Sequence, residues 1–183
     1  MTAPDSPAAA YVTLQMMQLD VIIDRGLHTE PMVVTPTDDG FEACSRLAGC
    51  DRYTGIEMID GLISHFEVMG NPLHELVARP GPPVHVGDVT VELSGALDSV
   101  AAQTLRVVIE VTATGSEHFD FTAASFVTTD GTAFEPDPRT SLTLDVTSID
   151  DPTAISLDFD GAHPPGELHF SYTTAAGETV PHE

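Results

Sequence analysis

The stretch Thr54-Gly55-Ile56-Glu57-Met58-Ile59-Asp60-Gly61-Leu62-Ile63-Ser64-His65-Phe66-Glu67-Val68-Met69-Gly70 decides how the first half of the chain is read. Ile56, Ile59, Ile63 and Phe66 recur at helical spacing, and Met69 extends the stripe. Glu57, Asp60, Ser64 and Glu67 fall opposite. Apolar residues on one side and polar ones on the other are the pattern of an amphipathic helix. Thr54-x-x-Glu57 supplies a capping-box start, and Gly70 supplies a stop. The spacing predicts a helix here, and with it a mainly helical region before residue 80.

The neighbouring segments are read the same way. Asp39-x-x-Glu42 is a second capping-box start, and Phe41, Cys44, Leu47 and Ala48 follow at helical spacing. Asn71-Pro72 opens a short helix running to about Ala78. Ser6-Pro7 offers an N-cap followed by proline at the first helical position. Residues Pro7 to Asp24 then read as a helix with Ala10, Leu14, Met17 and Val21 on one face. Val12, Thr13, Val21, Ile22 and Ile23 also permit a strand there. Met32-Val33-Val34-Thr35 reads as a short extended segment. On a single helix, Cys44 and Cys50 would stand about 9 Å apart, too far for a disulfide. If the helix ends at Gly49 a bridge is geometrically conceivable, and two reduced, half-buried thiols are the favoured reading.

The pattern changes at Arg79-Pro80-Gly81-Pro82-Pro83, a stiff and extended connection. Beyond it the residues alternate at period two. Val89, Val91 and Leu93 oppose Thr90, Glu92 and Ser94. Leu105, Val107, Ile109 and Val111 repeat the scheme, as do Leu142, Leu144 and Val146, then Ile155, Leu157 and Phe159, then Leu168, Phe170 and Tyr172. Turn signals at Thr114-Gly115-Ser116, Asp130-Gly131, Asp150-Asp151-Pro152, Asp160-Gly161 and Ala176-Gly177 separate these runs. Short alternating strands at this spacing predict an antiparallel sandwich with one wet face per strand. The expected fold class is α+β, with a helical region at 1–79, a proline-rich linker at 80–88 and a β-sandwich at 84–183.

Several residues of the second half carry a family resemblance. They are the long strand Leu105–Thr112, Phe119-Asp120-Phe121, the run Ser125-Phe126-Val127-Thr128-Thr129-Asp130-Gly131-Thr132-Ala133-Phe134 and the closing Pro165-Gly166-Glu167-Leu168-His169-Phe170-Ser171-Tyr172. Together they resemble a bacterial and archaeal immunoglobulin-like domain common in extracellular proteins and lipoproteins, whose function is mostly unassigned. The resemblance implies an Ig-like sandwich over about half the chain. Such domains also resemble decoration and tail modules of tailed viruses. Residues 1–79 carry no such likeness.

Composition narrows the partners. The chain has 183 residues, 29 acids and six basic residues, for a net charge of −23. All six basic residues are arginine. Residues 1–79 hold 12 acids and 4 arginines, a net of −8, and residues 80–183 hold 17 acids and 2 arginines, a net of −15. Nucleic acid and anionic membrane surfaces are disfavoured, because both need clustered cations. A hydrophobic content of 42% is too high for a disordered acidic tail. Two readings of the charge stay open: a high-salt environment, as in haloarchaeal proteins, or an arginine-biased, GC-rich genome. Met1 to Pro7 show no positive n-region and no apolar h-region, so no secretory signal is expected. No run is long enough to insert in a membrane.

Chemistry-bearing motifs are sparse. No phosphate loop, nucleophile elbow, H-E-x-x-H or C-x-x-C occurs. His65, Met69 and His74 with Cys44 and Cys50 are the residue types of a soft-metal site, although Met69 is equally explained as core. Asp158-x-Asp160-Gly161, with Asp150 and Asp151, resembles the opening of a calcium loop. His169 stands where that loop would need its bidentate acid. His118, His163, His169 and His182 show no hydrolytic spacing. Phe126, Phe134, Phe159, Phe170 and Tyr172 read as packing residues, and Phe126, Phe134, Phe66 and Met69 are the candidate interface anchors. No cofactor is expected, with Ca2+ the possible exception. The expected function is a non-enzymatic structural or assembly protein, a homo-oligomer or subunit of a larger assembly such as a capsid decoration or tail component of a virion. The alternative is a Ca2+- or ligand-binding module.

Overall fold

Residues 54–69 are a β-hairpin, not a helix. The computed structural model describes residues 1–24, 31–46, 49–78, 80–86, 89–113, 120–137, 152–173 and 179–182. Helix α1 spans Pro7–Asp24. Strands β1 (Val33–Thr37), β2 (Gly40–Ser45), β3 (Gly49–Ile59), β4 (Leu62–Val68) and β5 (Asn71–Pro72) follow, then helix α2 (Leu73–Leu76) and β6 (Val77–Ala78). The later strands are β7 (Val84–Val86), β8 (Val89–Ser99), β9 (Thr104–Ala113), β10 (Asp120–Thr128), β11 (Ala133–Phe134), β12 (Thr153–Asp160), β13 (Gly166–Thr173) and β14 (Thr179–His182). The expected mainly helical N-terminal region is thus corrected: among the described residues only α1 and the single turn α2 are helical, and the protein is mostly β.

The physical reason for the correction lies at Asp60-Gly61. Both residues have positive φ, 52° and 78°, and Ile59 pairs with Leu62 across them. Two consecutive left-handed residues make the two-residue turn whose twist matches antiparallel strands. Isoleucine, threonine, tyrosine and valine on either side suit the pleated backbone. The strand period then splits the supposed helical stripe. Ser64, Phe66 and Val68 are buried along one face of β4, while Ile56, Met58 and Ile59 of β3 are exposed. The stretch after Asp39 is likewise a strand, and β2 pairs antiparallel with β3 through Cys44↔Cys50.

Two compact units divide the chain. The first comprises Met1–Arg79 with Ala96–Gln103, and the second Pro80–Gly95 with Thr104–Glu183. In the first unit, β1 to β5 form a five-stranded antiparallel meander in sequence order. Ser6 caps α1, its hydroxyl accepting the Ala9 N–H at 3.1 Å. Ala8 and Tyr11 of α1 pack with Phe66, Val68, Leu73, Leu76 and Leu97 in one core. Tyr11 meets Phe66 edge-on, with ring centroids 5.2 Å apart, and Phe41 stacks on Tyr53 at 4.5 Å. The first residues are tied to β4 by Ala3 N–H donating to the Ile63 carbonyl at 2.7 Å.

The hydroxyls of Tyr11 and Tyr53 hydrogen-bond at 3.2 Å. Burial, reinforced by Tyr11 and by the charge of Asp51, pushes the Tyr53 phenol well above its ordinary value. A raised folded-state pKa contributes stability that is full below about pH 10 and is lost as pH climbs beyond it. Spectrophotometric titration should therefore show Tyr53 un-ionised past pH 10, released only as the first unit unfolds. A Tyr53 that titrates near 10 in the folded protein would contradict this packing.

In the second unit, β11, β10, β13 and β14 form one antiparallel sheet, and β12, β9 and β8 belong to another, with β7 pairing β8. Leu105, Val107, Ile109 and Val111 are buried, as are Ile155, Leu157 and Phe159 of β12, which pairs with β9. The Phe126 and Phe159 rings, one from each sheet, lie 6.0 Å apart. This arrangement is compatible with a β-sandwich. The Asp130-Gly131 turn forms as its residues suggest. Asp130 accepts from the Thr128 hydroxyl at 2.6 Å and from the Thr132 N–H at 3.1 Å, and Phe126 pairs with Phe134. The alternating run Leu142, Leu144 and Val146 lies outside the described residues.

Candidate interaction surface and cysteine hairpin

Helix α1 is apolar on two opposed sides. Its inner side carries Ala8, Tyr11, Leu14 and Val21, all buried. Val12, Met16 and Ile23 are exposed, at 42%, 51% and 55%, and Leu19 between them is half-buried. The spacing of Val12, Met16, Leu19 and Ile23 is four, three, four, which at 100° per residue keeps them in one stripe about 130° from the inner face. A helix apolar on both sides ordinarily has both sides covered. No charged residue occurs between Pro7 and Leu19.

The same unit carries every exposed large apolar residue found among the described residues. They run from Met1 to Met69, and include Met32, Val33 and Val34 beside and on the outer strand β1, and Ile56, Met58 and Ile59 on β3. The described residues of the second unit show none. Strand β1 is exposed along its length and pairs only through β2 among the described strands.

The β2–β3 hairpin brings together the two cysteines that a single helix would have kept apart. Cys44 and Cys50 are disulfide-bonded, with Cα atoms 4.0 Å apart. This corrects the expectation of reduced thiols: the residues face each other on paired strands. Glu42, two residues before Cys44, shares its face of β2, with Oε2 3.9 Å from Cys44 Sγ. Opposite Glu42 stands Arg52. Its guanidinium donates to both carboxylate oxygens of Asp39 at 2.9 and 3.0 Å and holds that carboxyl below the usual carboxylate range.

The other candidate residues are distributed as follows. The His65 and His74 rings lie 6.5 Å apart, and His74 reaches Glu75 at 3.9 Å. Met69 is exposed, and its sulfur accepts the Arg52 N–H at 3.3 Å. These three do not join the cysteines in a ligand cluster; the group that does form among the described residues is Glu42, Cys44 and Cys50. Asp158 faces Arg106 at 3.5 Å, and Asp160 accepts from the Thr104 hydroxyl at 2.9 Å. Asp150 and Asp151 lie outside the described residues, as does His118. His163 is exposed, and His169 lies 3.4 Å from Glu167. His182 pairs with Phe170 in the β14–β13 ladder. Phe66, Phe126 and Phe170 are buried, and Phe134 is half-buried.

Two features escaped sequence reasoning. The outer stripe of α1 was visible as an uncharged run with a second heptad-like spacing, once the inner face was assigned. Asp39-x-x-Glu42 has the form of a capping box, and only a strand period aligns Glu42 with Cys44. No helix among the described residues is long and apolar enough to cross a membrane. No family model matches the chain, and no curated protein or solved structure matches it either.

Proposed function

We propose that this chain is a non-enzymatic assembly subunit that pairs with a second copy of itself through the outer face of α1. The observation that carries the reading is the stripe of exposed Val12, Met16 and Ile23 with half-buried Leu19, on a helix without charge from Pro7 to Leu19. Two copies, each carrying −23, repel wherever charge meets charge. They approach best where neither presents any. A two-fold axis perpendicular to the helices would set them antiparallel, so that Val12 of one copy faces Ile23 of the other. A particle built of many such subunits, a virion included, is the setting this reading favours.

Light scattering after size exclusion tests the pairing. The wild-type chain should run as a dimer, more completely as KCl rises and screens the repulsion. Met16→Glu should run as a monomer with its helical signal intact. Burying one methionine contributes about 1.5–3 kcal/mol, and the lesion occurs twice per dimer. Val34→Glu, on the exposed strand β1, should leave the dimer unchanged. A wild-type monomer at high concentration in both dilute and molar salt would sink the proposal. A Val34→Glu monomer would move the contact to the sheet edge.

A further inference from the structure

We infer that the β2–β3 hairpin is a redox-gated site for a thiophilic divalent cation, closed as the Cys44–Cys50 disulfide and opened by a dithiol reductant. The ligands are Cys44 Sγ, Cys50 Sγ and a Glu42 carboxylate oxygen. These atoms lie within 4.8 Å of one another. They converge because the register sets Cys44 opposite Cys50 and the two-residue period puts Glu42 on the same face as Cys44.

In the opening step a dithiol attacks one sulfur of the disulfide. The Cys44–Cys50 bond breaks, the reductant's own disulfide forms, and two electrons and two protons pass to Cys44 and Cys50. A divalent cation then displaces the two thiol protons. Thiolates bind zinc at about 2.3 Å and so stand about 3.8 Å apart in a tetrahedron. Strands whose Cα atoms are 4.0 Å apart allow that separation by side-chain rotation. Glu42 supplies a third ligand and water the fourth, which leaves the site open. Two sulfurs select zinc-like ions over calcium or magnesium. Cys50 is exposed, and Cys44 and Glu42 are half-buried, so reductant and metal both have access.

Cobalt(II) is the probe. The full chain is reduced with a phosphine, freed of it, and titrated with Co2+ in the absence of air. Reduced protein should bind one Co2+ per chain with a near-ultraviolet thiolate charge-transfer band and tetrahedral visible bands, both abolished by added Zn2+. The oxidised protein should show neither. Cys44→Ser should lose the band. Glu42→Gln should keep it and weaken binding by about tenfold or more, since even outer-shell partners of a metal site are worth that much. Octahedral cobalt without a thiolate band would overturn the inference, as would a Glu42→Gln affinity equal to wild type. Loss of the β signature on reduction, followed by circular dichroism in the same sample, would overturn it as well.

Discussion

Replacing Phe159 with alanine is expected to destabilise the second unit by about 3–5 kcal/mol. Phe159 is the largest fully buried side chain of the described residues, at 0% exposure. It stands on β12 directly opposite Leu105 of β9, itself only 1% exposed. Its ring meets Phe126 from the other sheet. Truncation therefore empties the place where the two sheets face each other, and rigid strands on both sides cannot collapse into the space. Hydrogen exchange at the amides of β9 and β12, together with urea unfolding, measures the cost. Phe159→Leu should recover much of the loss, because it restores apolar volume. A Phe159→Ala chain as stable as wild type would mean that the two sheets do not share a core at this residue.

The second half was legible because one signal dominated it. Leu105, Val107, Ile109 and Val111 recur at every second position, with Arg106, Glu110 and Thr112 between them and only Val108 breaking the polar face, and Asp130-Gly131 marks a turn with a physical mechanism. The first half failed where two periods fit the same residues. Ile56, Ile59, Ile63 and Phe66 lie on one helical face, yet Ser64, Phe66 and Val68 equally lie on one strand face. Thr54-x-x-Glu57 added weight to the helix, although Thr54 and Glu67 are cross-strand partners whose side chains hydrogen-bond at 3.3 Å. The deciding residues were Asp60 and Gly61, whose positive φ values permit a hairpin and end any helix. The same misreading concealed the metal-ligand geometry. On a helix, Glu42, Cys44 and Cys50 diverge; in the register of β2 and β3 they converge.

Gly40→Ala is expected to disrupt the first unit more than any other single methyl addition there. A Cβ on Gly40 would overlap the Tyr53 carbonyl oxygen, and would lie 3.0 Å from the Tyr53 carbonyl carbon and 3.3 Å from Thr54 Cα. All three obstructing atoms are backbone of the paired strand, so no side-chain rotation relieves the clash. Overpacking of this kind costs about 1–3 kcal/mol and more where the neighbours cannot yield. Relief requires β2 to lift away from β3. That movement separates the stacked Phe41 and Tyr53 rings, pulls Asp39 from Arg52 and loosens Tyr53 from Tyr11 of the helix. Gly61→Ala is the matched control. Gly61 has positive φ and nothing within 4 Å of an added Cβ, so its cost is confined to backbone strain of about 1–2 kcal/mol. Thermal melts of the two variants should therefore rank Gly40→Ala well below Gly61→Ala, with early release of the Tyr53 phenol in alkaline titration of Gly40→Ala alone. If both melt together, close approach of β2 to β3 does not hold the unit, and the conformational freedom of glycine is the common factor instead.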